Sequence, residues 1–163
     1  MRRSGVAALL LASLLALPAT AADPKLLPPE EAFRFSARAL DDHTIEARFV
    51  VATGYYLYRD KMRFVVTPDT AALATPQLPA GKTKEDQFFG KVETYRGDVV
   101  VTLAIPGGGA GQSVVLAADS QGCADQGVCY PPTVQKVTLV LPVAGKGPGP
   151  VVEAFPLKKR WFN

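Results

Sequence analysis

The chain has 163 residues, 48% hydrophobic and 20% charged, a balance that excludes an intrinsically disordered protein. Its 14 glycines and 14 prolines are too few for collagen or low-complexity sequence, yet enough for many turns. Two cysteines, Cys123 and Cys129, exclude a disulfide-dense scaffold and a four-thiolate zinc site. The net charge of +3 includes Arg2 and Arg3; without them the basic residues nearly balance the 15 acidic ones. Nothing in that balance resembles the concentrated basic face that nucleic acid demands.

Met1-Arg2-Arg3 is a positive start, and Val6 to Leu17 is apolar except for Ser13. Pro18 ends the run, and Ala19-Thr20-Ala21 has the small-x-small form of a signal-peptidase site. A bilayer span needs about 20 apolar residues, so the run is too short for an anchor. The expectation is a cleaved export signal over residues 1–21, read by the general secretory route. The mature protein is then periplasmic, and both thiols sit in an oxidising compartment.

The Pro-rich segment around Pro24, Pro28 and Pro29 reads as an extended leader. Alternation of apolar and polar residues starts at Phe33 to Arg38 and resumes at Thr44 to Phe49, the period of half-buried strands. Further strand candidates are Tyr55 to Tyr58, Met62 to Val66, Val99 to Ile105, Val114 to Ala118 and Val134 to Leu141, with Gly/Pro turns between them. No stretch after the signal keeps helical spacing for three turns. About seven or eight short strands with frequent turn signals predict an all-β, antiparallel β-sandwich over residues 22–143. Residues 144–163 read as a Gly/Pro linker and a basic-aromatic tail, either frayed or in weak contact with a partner or the membrane surface.

The two cysteines lie six positions apart around a glycine-containing turn, Gly122-Cys123-Ala124-Asp125-Gln126-Gly127-Val128-Cys129-Tyr130-Pro131-Pro132. Such a loop can close into one disulfide. Its chain-entropy worth is roughly 2–2.5 kcal/mol, against nearly 5 for a loop of about 100 residues. Spacing alone leaves a structural bond and a redox pair both open. The single histidine, His43, is far from the cysteines in sequence and reads as an ordinary edge residue, so a Cys–His nucleophile has little support. No metal set and no phosphate-binding glycine loop is present, and no cofactor is expected beyond the cysteine pair itself.

The cysteine turn resembles that of the N-terminal periplasmic domain of the thiol:disulfide interchange protein DsbD family. Two further segments agree: Gly54-Tyr55-Tyr56-Leu57-Tyr58-Arg59 is similar to a tyrosine-rich strand of that domain, and Asp86-Gln87-Phe88-Phe89-Gly90-Lys91, followed by Tyr95-Arg96, to its cap loop. The resemblance implies an immunoglobulin-like sandwich with the cysteines on an edge hairpin. It also implies a thiol:disulfide oxidoreductase that relays electrons from a membrane or thioredoxin-like reductase to thioredoxin-fold periplasmic acceptors, including those of cytochrome c maturation. Carried over residue by residue, Cys129 would form mixed disulfides with partners and Cys123 would resolve them through a redox-active Cys123–Cys129 bond. Phe88 would be the lid, with Asp86, Gln87, Phe89 and Gly90 in its loop. Tyr56, Tyr58, Asp125, Tyr130 and Pro131 would line the site. Asp86 and Asp125 would disfavour a thiolate. Best-known members carry Asp-Glu-Phe-Tyr-Gly in the cap; Gln87 and Phe89 here remove a carboxylate and a phenol. The expectation is a free-standing, monomeric relay. Its rival is a non-catalytic immunoglobulin-like binding module with a structural disulfide.

Overall fold

The computed structural model describes residues 25–154. The expected export signal and most of the basic-aromatic tail lie outside these residues. The chain runs through a single helical turn α1 (Pro29–Ala32) and strands β1 (Phe33–Ala39), β2 (Thr44–Val51), β3 (Tyr55–Tyr58) and β4 (Arg63–Thr67). There follow β5 (Lys82–Asp86), β6 (Gly90–Tyr95), β7 (Gly97–Ala104), β8 (Ser113–Ser120), β9 (Gly122–Ala124), β10 (Thr133–Val140) and β11 (Val152–Glu153). All seven strand candidates are present.

The strands assemble in the orders β11-β1-β2-β7, β10-β8-β4 and β5-β6-β3-β9, with every pairing antiparallel. This is the expected immunoglobulin-like sandwich. Alternation in the sequence becomes alternation in burial: along β2, Ile45, Ala47, Phe49 and Val51 are buried, while the residues between them face outward. They form one core with Phe35 and Leu103 from the first sheet and Phe64, Leu116, Val137 and Leu139 from the second. Phe49 is fully buried, and truncating it to Ala would cost about 3–5 kcal/mol.

The site lies where the second layer is interrupted. Tyr55 faces Ala124 and Leu57 faces Gly122 in the β3–β9 ladder, which resumes between β4 and β8 with Arg63 opposite Asp119. The three residues Arg59–Lys61 form a 3-10 turn extruded between the two ladders. β3 is buried on both faces. Tyr55 and Leu57 enter the main core, whereas Tyr56 and Tyr58 join Cys123 in a second small cluster. β5 and β6 form a hairpin over that cluster.

Sequence reading set residues 144–163 apart from the sandwich. In the structure the chain returns to the sheet after the Gly/Pro stretch: the Gly149 amide donates to the Ala39 carbonyl at 2.8 Å and the Ala154 amide to the Phe35 carbonyl at 3.0 Å. Ser36 pairs with Glu153 and Ala37 with Val152. β1 would otherwise present unpaired backbone groups at a sheet edge, and β11 satisfies them.

Candidate functional site

Cys123 sits in β9 opposite Tyr56, and Cys129 returns beside it as an isolated antiparallel bridge. The two are joined in a disulfide with Cα atoms 4.0 Å apart. Local glycines make this possible. A Cβ on Gly122 would collide with the Tyr56 carbonyl oxygen and come within 2.6 Å of the Phe33 ring, so only glycine lets β9 approach β3. Gly127 has φ +86, the left-handed turn that brings the chain back toward Cys129. The amides of Ala124 and Gly127 donate to Val128 and Ala124 carbonyls at 2.8 and 3.0 Å, and Asp125 N–H donates to Gly54 at 2.8 Å.

The two cysteines differ in burial. Cys123 is fully buried, whereas Cys129 is half-buried beside exposed Val128. The Tyr58 hydroxyl lies 3.2 Å from Cys123 Sγ and 3.9 Å from Cys129 Sγ. It donates to Asp86 Oδ2 at 2.8 Å, and the Tyr56 hydroxyl donates to the same oxygen at 3.0 Å. Asp86 Oδ1 accepts from the Phe88 and Phe89 amides at 2.9 and 3.3 Å. One buried carboxylate therefore ties the floor of the site to the three-residue loop Gln87–Phe89 that closes the hairpin between Asp86 and Gly90. Burial pushes the Asp86 carboxyl up, but the hydrogen bonds from Phe88, Tyr58, Tyr56 and Phe89 outweigh it and hold it below the ordinary carboxylate value. Burial, reinforced by hydrogen bonding with Tyr56 and Asp86, raises the Tyr58 phenol far above its usual value, so Tyr58 remains a proton-bearing donor.

Of the cap residues, Phe89 makes the inward contact. Its ring meets Tyr58 edge-on at 5.1 Å, and Lys61 of the extruded turn covers it at 4.6 Å. Phe88 is 55% exposed. Gln87 faces the cysteine turn: its Nε2 lies 3.7 Å from where a Cβ on Gly127 would stand. Gly90, with φ +69, turns the hairpin.

Asp125 lines a cleft with Tyr56, Asp86 and Gln87, whereas Tyr130 and Pro131 lie away from it. Asp125 is not a free negative charge near the sulfurs, because Arg96 engages it in two hydrogen bonds of 3.0 and 2.6 Å. That pairing lowers the Asp125 carboxyl and raises the Arg96 guanidinium. Tyr130 turns to the opposite side, where its ring packs against Phe33 and Tyr55 and its hydroxyl donates to the Leu27 carbonyl at 2.6 Å. A half-buried phenol still seeks an acceptor, and the leader segment supplies one. Burial, with the Tyr55 hydroxyl beside it, pushes the Tyr130 phenol up to about 12. Pro131 is exposed beyond it.

Besides Lys61, two cations of the site had no role assigned from the sequence, although Arg96 stood in the Tyr95-Arg96 pair of the motif. Lys84 Nζ stands 3.7 Å from Asp86 Oδ2 and 3.7 Å above the Tyr56 ring; its spacing of two from Asp86 in a strand was the available signal. Arg96 places its guanidinium 5.2 Å from the Tyr56 ring centre. Among the described residues no group of three or more His, Cys, Asp or Glu side chains converges on a metal position.

The family model described as thiol:disulfide interchange protein DsbD, N-terminal, matches residues 23–141. The protein of that name from Ralstonia nicotianae is 50% identical over 119 residues, 72% of this chain and 19% of its own length. DsbD 2 of Pseudomonas aeruginosa is 41% identical over 131 residues, 80% of this chain and 20% of that protein. The chain thus spans about a fifth of the length of these curated relatives. Among solved structures, the reduced N-terminal domain of DsbD from Neisseria meningitidis is similar with a TM-score of 0.64 and 35% identity, over 76% of this chain and 94% of that one. The same organism's DsbD N-terminal domain in complex with the PilB N-terminal domain has a TM-score of 0.59 and 35% identity, over 69% and 86%. With its matched segment, antiparallel sandwich and cysteine pair together, the chain belongs to the family of DsbD N-terminal domains.

Proposed function

We propose that the Cys123–Cys129 pair is a periplasmic thiol–disulfide exchange centre, relaying reducing equivalents from a membrane or thioredoxin-like reductase to periplasmic disulfide acceptors. The observation that carries this reading is the asymmetry of the pair. Cys129 is half-buried at the rim, whereas Cys123 is fully buried with its sulfur 3.2 Å from a phenol that keeps its proton.

On reduction, the thiolate of a donor dithiol attacks Cys129 Sγ and breaks the Cys123–Cys129 bond. An intermolecular disulfide forms, and Cys123 leaves as a thiolate; the single Tyr58 proton swings from Asp86 Oδ2 to this sulfur, 3.2 Å away, and holds it until it takes a proton from solvent. The donor's second thiolate then attacks its own half of the mixed disulfide and releases Cys129. Two electrons pass, the donor is oxidised and both cysteines end as thiols. Delivery runs in reverse: Cys129 attacks an acceptor disulfide and Cys123 resolves the adduct. The relatives' name and the solved complex of a similar domain with the PilB N-terminal domain support exchange with a protein partner. The cap over Tyr58 supports restricted access: reaction with stray oxidants is slowed until a docked partner displaces the loop.

The test is trapping. Cys123→Ala, incubated with a thioredoxin-fold protein that keeps only its attacking cysteine, activated as a thionitrobenzoate mixed disulfide, displaces thionitrobenzoate and accumulates a protein–protein disulfide through Cys129, and Cys129→Ala accumulates none. If neither variant forms an adduct while both merely lose stability, the bond is structural and the domain is a binding module.

A further inference from the structure

We infer that Arg96 is a positioning residue for the cysteine pair: its guanidinium clamps the turn between Cys123 and Cys129 onto β3 and so sets how readily the reduced thiols close again. The inference rests on the exchange reading and adds a determinant of the redox equilibrium.

Arg96 sits at the corner between β6 and β7, followed by Gly97 at φ +64. From there Nη1 donates to the Tyr55 carbonyl and to Asp125 Oδ2, both at 3.0 Å, and Nη2 donates to Asp125 Oδ1 at 2.6 Å. The same guanidinium lies over the face of Tyr56, which donates to Asp86. One side chain thus joins the cysteine turn, the backbone of β3 and the aromatic floor. The planar fork suits this, since a bidentate carboxylate pair fixes orientation as well as distance.

The position of the clamp decides what it can do. Tyr55 is paired with Ala124, the neighbour of Cys123, and Asp125 opens the exposed turn that returns through Val128 to Cys129. In the oxidised protein the covalent bond closes this turn by itself. Once the bond is reduced, the backbone hydrogen bonds of the turn and the Arg96 fork are what hold the turn to β3. Ordering the turn is an entropic cost that the disulfide has already met in the oxidised form, so the clamp is stronger there. By reciprocity, the clamp favours the disulfide by the same factor.

Reduction by glutathione consumes two thiols, yields one glutathione disulfide, and transfers two electrons and two protons to Cys123 and Cys129. Arg96→Ala should raise the equilibrium constant of this reaction about fivefold, a less negative potential by about 20 mV for the two-electron couple. Asp125→Asn opens the clamp from its exposed side and should shift the constant in the same direction, which keeps the test available if Arg96→Ala folds poorly. The double variant should shift it no further than Arg96→Ala. Arg38→Ala is the control: it breaks a comparable Arg38–Glu46 pair, 3.0 Å long, on β1 and β2, and should leave the constant unchanged. Constants within twofold of wild type for both clamp variants would overturn the inference, as would an equal shift in Arg38→Ala. If the wild-type domain fails to exchange with thioredoxin-fold proteins, the exchange reading falls, while the glutathione constants still decide the clamp.

Discussion

Asp86→Ala is the most informative single change at the site. It removes one carboxylate, 1% exposed, that accepts from Tyr56, Tyr58 and the amides of Phe88 and Phe89. Tyr58 retains Cys123 Sγ as a neighbour at 3.2 Å, and the loop amides, being partly buried, can turn to water. The Tyr56 hydroxyl is left buried without its acceptor, which costs about 1–3 kcal/mol, and lost hydrogen bonds to a charged group add to it. Relief from keeping a charge buried subtracts something. A net loss of about 3 kcal/mol is expected, which for a domain of this size lowers Tm by roughly 10 °C. The assay is thermal unfolding of the oxidised protein at neutral pH, followed by circular dichroism. A second readout follows from geometry: with both loop amides released, the reduced variant should alkylate at Cys129 several times faster than wild type. A fall of less than about 3 °C together with an unchanged alkylation rate would refute the carboxylate as the joint between floor and cap.

Three further outcomes are expected. Asp86 and Asp125 both titrate below the ordinary carboxylate value. Their contribution is complete above about pH 4, the unfolded value, and is lost as pH falls through their folded values. Urea midpoints from pH 6 to pH 2 should therefore fall less steeply for Asp86→Ala than for wild type, and identical slopes would contradict this. Phe88→Ala should speed oxidation of the reduced pair by small oxidants with little change in Tm, because Phe88 is 55% exposed; Phe89→Ala should also lower Tm, through its lost contacts with Tyr58 and Lys61. No effect of either on oxidation would mean that the loop does not cover the sulfurs. Finally, reducing the disulfide should cost about 2 kcal/mol in denaturant titrations, the worth of so short a loop; complete unfolding on reduction would favour a structural bond.

The sandwich strands were legible because their burial alternates with a period of two, as along Ile45, Ala47, Phe49 and Val51. The cap hairpin was not, since Lys82 to Asp86 carries no apolar alternation: its ladder to β6 and the buried Asp86 define it. The two-residue β11 is too short for any periodic signal and forms because an open edge of β1 is within reach. At the site, the cysteines, tyrosines and cap were readable as motifs. The roles of the cations Lys61, Lys84 and Arg96 were not, because they depend on what topology sets against them. Arg96 meets Asp125 only through the β6–β3–β9 order, and Lys61 reaches Phe89 only because a 3-10 turn is extruded between β3 and β4. The same topology turned Tyr130 away from the sulfurs and toward Leu27.

The claim on which the account turns is that Cys123–Cys129 is an exchange centre and more than a clasp for one turn. Its reduction potential, measured by equilibrating the wild-type domain in thiol–disulfide buffers and counting free thiols, tests that directly. A relay disulfide should equilibrate in the thioredoxin-to-glutaredoxin range, about −270 to −200 mV. A value below about −300 mV, where structural disulfides resist reduction, would contradict it.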